Sequence, residues 1–262
     1  MIIGIILAGG SGKRFGGDVP KQYRPLLGKP VLAWTLEAFQ RSRADGLVLV
    51  CGEKDIEYCK EEIVKKYGIT KCFAVTPGGQ NRYDSVYCGL KTAYDCIKGM
   101  DDGRIKMGEM WELFKQRSES EVFCMIHDGA RCCIDTDTIN DAAEYVSTKG
   151  SCVVGVPVTD TIQVVNEEGN IMMTPIRART WAAQTPQCFS LLNALNSYRM
   201  AVETDDDTIT DDASAIRKYG EGCIYMLCGK ADNIKITTEA DMRVAEEILS
   251  KRSSQSASFR CL

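Results

Sequence analysis

The chain has 262 residues, 44% hydrophobic and 26% charged, with 32 basic against 36 acidic side chains and a formal net charge of −4. That length buries a full core in one α/β domain, and the acidic balance argues against a nucleic-acid partner while leaving room for a local basic pocket toward a polyanionic small ligand. No apolar run reaches the length of a membrane span, so no membrane partner is expected; the 13 cysteines, odd in number and without zinc spacing, are read with the lack of a signal peptide at Met1 as reduced core thiols of a cytoplasmic enzyme.

Met1 to Leu7 is an isoleucine-rich run that predicts a buried parallel strand. It empties into Ala8-Gly9-Gly10-Ser11-Gly12-Lys13-Arg14-Phe15-Gly16-Gly17. Glycines there free backbone N–H groups to face an anion, so the loop reads either as a phosphate cradle or as an ordinary strand-to-helix turn with surface cations. It is neither a P-loop, lacking Gly-Lys-Ser/Thr, nor a clean dinucleotide fingerprint, lacking the third glycine. Arg14 and Lys21 follow as fixed cations able to neutralise charge on a phosphorus centre.

Periodicity then predicts a helix over Pro30–Ser42, a strand over Leu47–Cys51, a charged helix over Asp55–Tyr67 and a strand over Cys72–Thr76, the alternation of a parallel sheet. Gly78-Gly79 precede a helix whose face is Val86, Leu90 and Ala93, and loops of this kind hold ligands at strand ends; Ser85 alone fits a helix cap equally well. Gly99–Ser120 is irregular, with a possible helix over Met107–Phe114, and no chemistry is assigned to it. Val122–Ile126 predicts a central strand ending in His127-Asp128-Gly129-Ala130-Arg131, where a carboxylate past the strand end suits Mg²⁺ against phosphate oxygens. His127, the single histidine, is read as a structural hydrogen-bonding group, since nothing beside it builds a triad. Two β-rich runs, Val153–Val165 and Ile171–Thr174, flank Glu168-Gly169-Asn170 and predict a projecting hairpin, which is marginal unless buried against something. Thr208–Ala213 opens a helix with Thr210 as its N-cap. A last helix is expected over Thr238–Leu249, and the serine-rich Ser250–Leu262 is expected to be disordered.

Six blocks, in chain order from residue 5 to about 249, resemble the signatures of the polyol-phosphate cytidylyltransferases, within the sugar-phosphate nucleotidyltransferases. They are Ala8–Arg14 with Pro20-Lys21-Gln22-Tyr23, Gly78–Leu90, His127–Arg131, Pro157–Ile162, Arg179–Phe189 with Gln184-Thr185-Pro186-Gln187, and the pair Thr210–Ala213 and Gly229–Thr237. The Arg179–Phe189 block favours the methylerythritol-phosphate branch over the pentitol or pentulose branch. The resemblance implies a Rossmann-like doubly wound, mostly parallel α/β sheet with a protruding β-hairpin arm. It implies one nucleotidyltransferase domain over residues 1–249, with the arm at about 157–177 clasping a second subunit in a homodimer, an insertion at about 99–120, and a tail over 250–262. It further implies CTP and a polyol phosphate as substrates and Mg²⁺ or another divalent cation as cofactor.

By the same resemblance Arg14, Lys21 and Lys235 would be catalytic. Leu7, Ala8, Gly9, Gly10, Ser11, Gly12, Gly79, Arg82 and Ser85 would bind the nucleotide. Thr159, Asp160, Thr161, Arg179 and Thr210 would face the polyol substrate, and Asp128 and Asp232 would place the metal. Three positions depart from the family pattern: Gly129, Cys132 where proline is usual, and Thr159 where the methylerythritol branch carries Arg or Lys, for which Arg177 or Arg179 could substitute. Thr159 keeps open the same chemistry on ribitol or ribulose 5-phosphate, and a nucleotide-binding regulator without catalysis is the more distant alternative.

Overall fold

Alternating burial explains the central sheet. Ile2 and Ile6 of β1 (Ile2–Leu7) face one core cluster and Ile3 and Ile5 the other. Leu47, Leu49 and Cys51 of β4 (Gly46–Cys51) divide in the same way from Val48 and Val50. Strands apolar on both sides need cover on both sides, which is what helices between parallel strands supply. The computed structural model describes residues 1–10, 15, 19–99 and 122–258; the expected helix at Met107–Phe114 and the rest of the 100–120 stretch lie outside them.

Between β1 and β4 come a short ribbon, β2 (Pro25–Leu26) with β3 (Lys29–Pro30), and α1 (Val31–Gln40). α2 (Ile56–Tyr58) runs on as a π-helical segment, Cys59–Lys65, where the sequence predicts one plain helix. β5 (Cys72–Pro77), α3 (Arg82–Ile97), β6 (Phe123–Asp128) and α4 (Thr136–Lys149) follow. Then come β7 (Ser151–Pro157), the hairpin strands β8 (Val164–Val165) and β9 (Ile171–Met173), and β10 (Trp181–Ser190). The chain continues with α5 (Leu191–Glu203), α6 (Asp212–Tyr219), β11 (Met226–Cys228) and α7 (Glu239–Ser258). The main sheet has seven strands in the order β11-β7-β10-β6-β1-β4-β5, and β8 and β9 pair separately as the hairpin. All pairs in the main sheet are parallel except those of β10, which runs antiparallel to both β6 and β7. α1, the π-helical segment and α4 cover one face, and α3, α5 and α6 the other. Gly89 lets α3 lie flat on the sheet, since a Cβ there would stand 2.6 Å from Ile5 Cγ2 and 2.7 Å from Val50 Cγ2.

Three expectations are corrected. The N-cap of α6 is Asp211 and not Thr210, because Asp211 Oδ1 accepts from Ser214 N–H at 2.9 Å while Ser214 Oγ returns to Asp211 N–H. The hairpin pairs over far less than its β-rich runs, as β7 stops at Pro157 before the arm begins. The last helix does not end at Leu249 but continues to Ser258, tied by the Lys251–Glu247 pair and by Arg252 donating to Cys133 O at 2.7 Å. All 12 cysteines among the described residues are free thiols, eight of them buried. Among the described residues no helix is long and apolar enough to cross a membrane.

Candidate active site

A cleft of about 440 Å³ opens where β1, β5 and β6 end, beside the β1–β6 boundary at which the chain order of the sheet reverses. One wall is Leu7, Ala8, Gly9 and Gly10, the other is Gly79, Arg82 and Ser85, and Asp128 and Lys235 form the floor. Gln22, 3% exposed, donates through Nε2 to Ala8 O at 2.7 Å and Gly10 O at 3.3 Å. The loop carbonyls are thereby tied down, so the glycine cradle depends on the Gln22 side chain, which the sequence pattern alone does not single out. Its signal was its place in the Pro20–Tyr23 run. Phe15 and Lys21 complete this side, and Lys21 Nζ donates to Ile236 O at 2.7 Å. Ser11, Gly12 and Arg14 lie outside the described residues.

The second wall is braced before any ligand arrives. Asn81 and Asp84 form a capping box at the start of α3, and Ser85 Oγ accepts from Gly79 N–H at 3.1 Å. Gly79 has no alternative, since a Cβ there would come within 2.2 Å of Asp84 Cβ. Arg82 makes a two-pronged pair with Asp212, at 2.8 and 3.0 Å, and Tyr198 donates to the same carboxylate at 2.5 Å. Asp212 and Tyr198 are fully buried. Burial alone would lower the Arg82 pKa, but the Asp212 carboxylate outweighs it and raises it, so the guanidinium stays charged.

Asp128 is the electrostatic centre. Lys235 Nζ stands 2.8 Å from its carboxylate, and Arg82 and Arg131 at 3.8 Å each. Burial pushes the Asp128 carboxyl up, yet Arg82, Lys235 and Arg131 together hold it at about 2. Arg82 is already matched by Asp212, so three cations face two carboxylates, and with Lys21 on the cleft wall the balance where phosphates would sit is positive. The Asp128 N–H donates to Thr185 Oγ1 at 3.1 Å, and the same hydroxyl lies 3.0 Å from His127 Nδ1. Arg131 O can only accept, so the neutral His127 carries its proton on Nε2 and donates to that carbonyl at 3.4 Å, while Nδ1 accepts from the Thr185 hydroxyl. Burial pushes the imidazole down to about 3. His127 is therefore a neutral strut at the end of β6, as the absence of a triad implied.

The structure thus brings Leu7, Ala8, Gly9, Gly10, Lys21, Gly79, Arg82, Ser85, Asp128 and Lys235 to one cleft. Among the described residues, it does not bring Thr159, Asp160, Thr161, Arg179, Thr210 and Asp232 there. Thr159, Asp160 and Thr161 are exposed between β7 and β8, Arg179 is exposed beyond β9, and Thr210 is exposed beside the α6 cap. Asp232 does not line the cleft, and its carboxylate is held by Arg252 Nη2 at 2.5 Å.

The family described as IspD, 2-C-methyl-D-erythritol 4-phosphate cytidylyltransferase, matches residues 2–99 and 111–251. The chain belongs to this family. The 2-C-methyl-D-erythritol 4-phosphate cytidylyltransferase of Lachnoclostridium phytofermentans is 37% identical over 248 residues, covering 95% of this chain and 96% of that protein. Its counterpart from Clostridium perfringens is 34% identical over 249 residues, covering 95% and 98%. Among solved structures, the Francisella tularensis enzyme of the same name superposes with a TM-score of 0.69 at 25% identity, over 94% of this chain and 99% of that one. The fold also matches the 4-diphosphocytidyl-2C-methyl-D-erythritol synthase of Anaerococcus prevotii, with a TM-score of 0.74 at 23% identity over 95% and 96% of the two chains. Members of the IspD family share this mixed sheet and separate hairpin.

Proposed function

We infer that this IspD-family protein is the CTP-dependent cytidylyltransferase that joins CTP to 2-C-methyl-D-erythritol 4-phosphate in the non-mevalonate route to isoprenoids. The observation that carries the reading is the cation-rich floor around Asp128 beneath two glycine-bearing walls. A phosphate oxygen of the polyol phosphate attacks the α-phosphorus of CTP, the new P–O bond forms, and the bond to the β-phosphate breaks to release pyrophosphate. The attacking phosphate monoester is already a nucleophile, so no side chain has to remove a proton or form a covalent intermediate. Catalysis is then positioning and charge stabilisation. Gly9, Gly10, Gly79 and Ser85 frame the nucleotide. Lys21 and Lys235 stabilise the charge that builds at phosphorus, joined by Arg14 from the glycine loop. Arg82 is held ready for the phosphates by Asp212.

The donor set fits a Mg²⁺ that arrives on the nucleotide. Asp128 is the one carboxylate among the described residues lining the cleft, and Mg²⁺ bound to phosphates asks for only one or two protein carboxylates. Asp128 would hold it, and when bound the ion would neutralise charge on the phosphate oxygens. Asp232 does not belong to that set, since Arg252 occupies it.

We further propose a homodimer through the β8–β9 arm. Val165, Ile171, Met172, Met173 and Ile176 are exposed along it, and an apolar ribbon of this kind is stable when covered. Thr159, Asp160, Thr161 and Arg179 lie at the root of that arm, so their contact with the polyol is completed when two copies assemble. Thr210 would face the same substrate from the α6 side. Free thiols throughout the described chain suit a cytoplasmic setting. The test is pyrophosphate release with CTP and Mg²⁺, comparing 2-C-methyl-D-erythritol 4-phosphate with ribitol and ribulose 5-phosphates. Preference for the methylerythritol phosphate by at least tenfold in kcat/KM is expected (order of magnitude,); preference for a pentose-derived acceptor, or binding of CTP without release, overturns the assignment.

A further inference from the structure

Asp232 belongs to a signature block yet does not reach the cleft, and its partner Arg252 lies one residue beyond the family match. We propose that Arg252 is a positioning residue for Lys235, acting through Asp232 to hold the segment from Gly229 to Thr237 against the cleft floor. This rests on the cytidylyl-transfer reading, in which Lys235 meets the phosphates.

The Arg252 guanidinium joins three parts of the fold. It leaves α7, donates through Nη1 to Cys133 O at 2.7 Å and through Nη2 to Asp232 Oδ2 at 2.5 Å, and comes within 3.8 Å of Asp135. Asp135 in turn is paired with Lys230 at 2.9 Å, at the start of the same segment. Asp232 Oδ1 is buried without a hydrogen-bond partner, so the carboxylate's compensation comes through its other oxygen, from Arg252. A carboxylate left in that position without its cation is costly, and the turn around it then gains by swinging toward water. Three residues further on, Lys235 Nζ sits 2.8 Å from Asp128. The front of the segment is tied by Ile236 N–H to Ala130 O at 2.9 Å and by Arg131 Nη1 to Asn233 O at 2.9 Å. At the back, Gln184 Nε2 donates to Lys230 O at 3.0 Å, and Arg252 is the tie that reaches the Asp232 carboxylate. The pairing also explains why Asp232 is not available to a metal.

Displacing a phosphate-facing cation by a fraction of an ångström lowers turnover more than it lowers ground-state binding. Steady-state pyrophosphate release should therefore show kcat falling about tenfold in Arg252→Met with the CTP KM within about twofold, and Arg252→Lys recovering most of the loss (order of magnitude,). Asp232→Asn should give the same loss, and the double variant should be no worse than either single one. Leu249→Ala loosens the same helix without touching Asp232 and serves as the control, with kcat retained. Hydrogen exchange at the Asn233 and Ile236 amides should quicken in Arg252→Met and not in Leu249→Ala. The proposal is overturned if Arg252→Met keeps kcat within twofold, if the two single losses multiply in the double variant, or if Leu249→Ala costs as much turnover as Arg252→Met. If wild-type protein does not turn over the two substrates, the transfer reading fails separately, and the exchange rates alone decide whether Arg252 holds the segment.

Discussion

The same residue types behave in opposite ways in the sheet and in the arm. Ile3, Ile5, Ile6, Val48 and Val50 are 0% exposed in β1 and β4, whereas Val165 is 52%, Ile171 63% and Met172 68% exposed in the hairpin. The sheet and its helices bury their own apolar surface and carry the cleft on their ends, so that half of the site is complete within one chain. The arm has no interior of its own. Its apolar face gains nothing until another surface meets it, and the polyol-facing residues proposed here stand at its root. On the dimer proposed above, one half of the site is preorganised by folding and the other by assembly.

The largest effects should come from the preorganised half. Lys235→Ala and Lys21→Ala are each expected to lower kcat by about 10²–10³-fold; turnover of Lys21→Ala within threefold of wild type removes that residue from any transition-state role. Asp212→Ala should show most strongly as instability, about 3–5 kcal/mol, because Arg82 loses its buried partner and Tyr198 its acceptor. Urea unfolding measures this, and a loss below about 1 kcal/mol would mean that the buried pair does not order the wall.

The assembled half is tested by Ile171→Asp combined with Met173→Asp. Sedimentation should report a monomer in place of a dimer, with turnover reduced about tenfold (order of magnitude,) and the near-ultraviolet circular dichroism of the core unchanged. If the mass does not change, the contrast between the two halves does not extend to assembly.

The last prediction concerns protons, and its effect within any one pH unit is small. In the unfolded chain His127 takes up a proton below its ordinary value of 6.5, whereas in the folded state burial delays this to about 3. Each pH unit lost across that interval favours unfolding, by up to about 1.4 kcal/mol per unit. Asp128 adds to this lower down: its carboxyl titrates at 3.8 ordinarily and at about 2 when folded, so its contribution is present above 3.8 and lost as pH falls toward 2. Denaturant titrations from pH 7 to pH 3 should follow this slope, and His127→Gln should flatten it. The rate profile between pH 5 and 8 should carry no limb from His127, and a limb that disappears in His127→Gln would show that the imidazole titrates during turnover.

The sequence made the cleft readable where chemistry is local. Gly9-Gly10, Gly79, Asp128 and Lys235 stand just beyond apolar strands or in short signature runs, so a linear reading places them. What it misses is set by distance along the chain. Asp212 meets Arg82 across 130 positions, and nothing near either residue announces the other. The reversal of β10 is equally silent, because alternating burial looks the same in either direction. Thr185 was visible only as a letter in Gln-Thr-Pro-Gln, and its link between Asp128 and His127 needs two strands side by side. Ser250 to Ser258 looked like a solvated tail by composition, yet Arg252 finds Cys133 and Asp232 at 2.7 and 2.5 Å and the helix continues with it.

The free thiols make the molecule a recorder of its own opening. Cys223 and Cys228 are exposed, while Cys51, Cys124, Cys152 and Cys188 lie in the sheet and Cys132 and Cys133 beneath α7. A brief pulse of an alkylating reagent would mark the first two in the native protein. The six buried thiols just named would be marked only as their surroundings part, and the order of labelling, read by mass, would map which layers separate first.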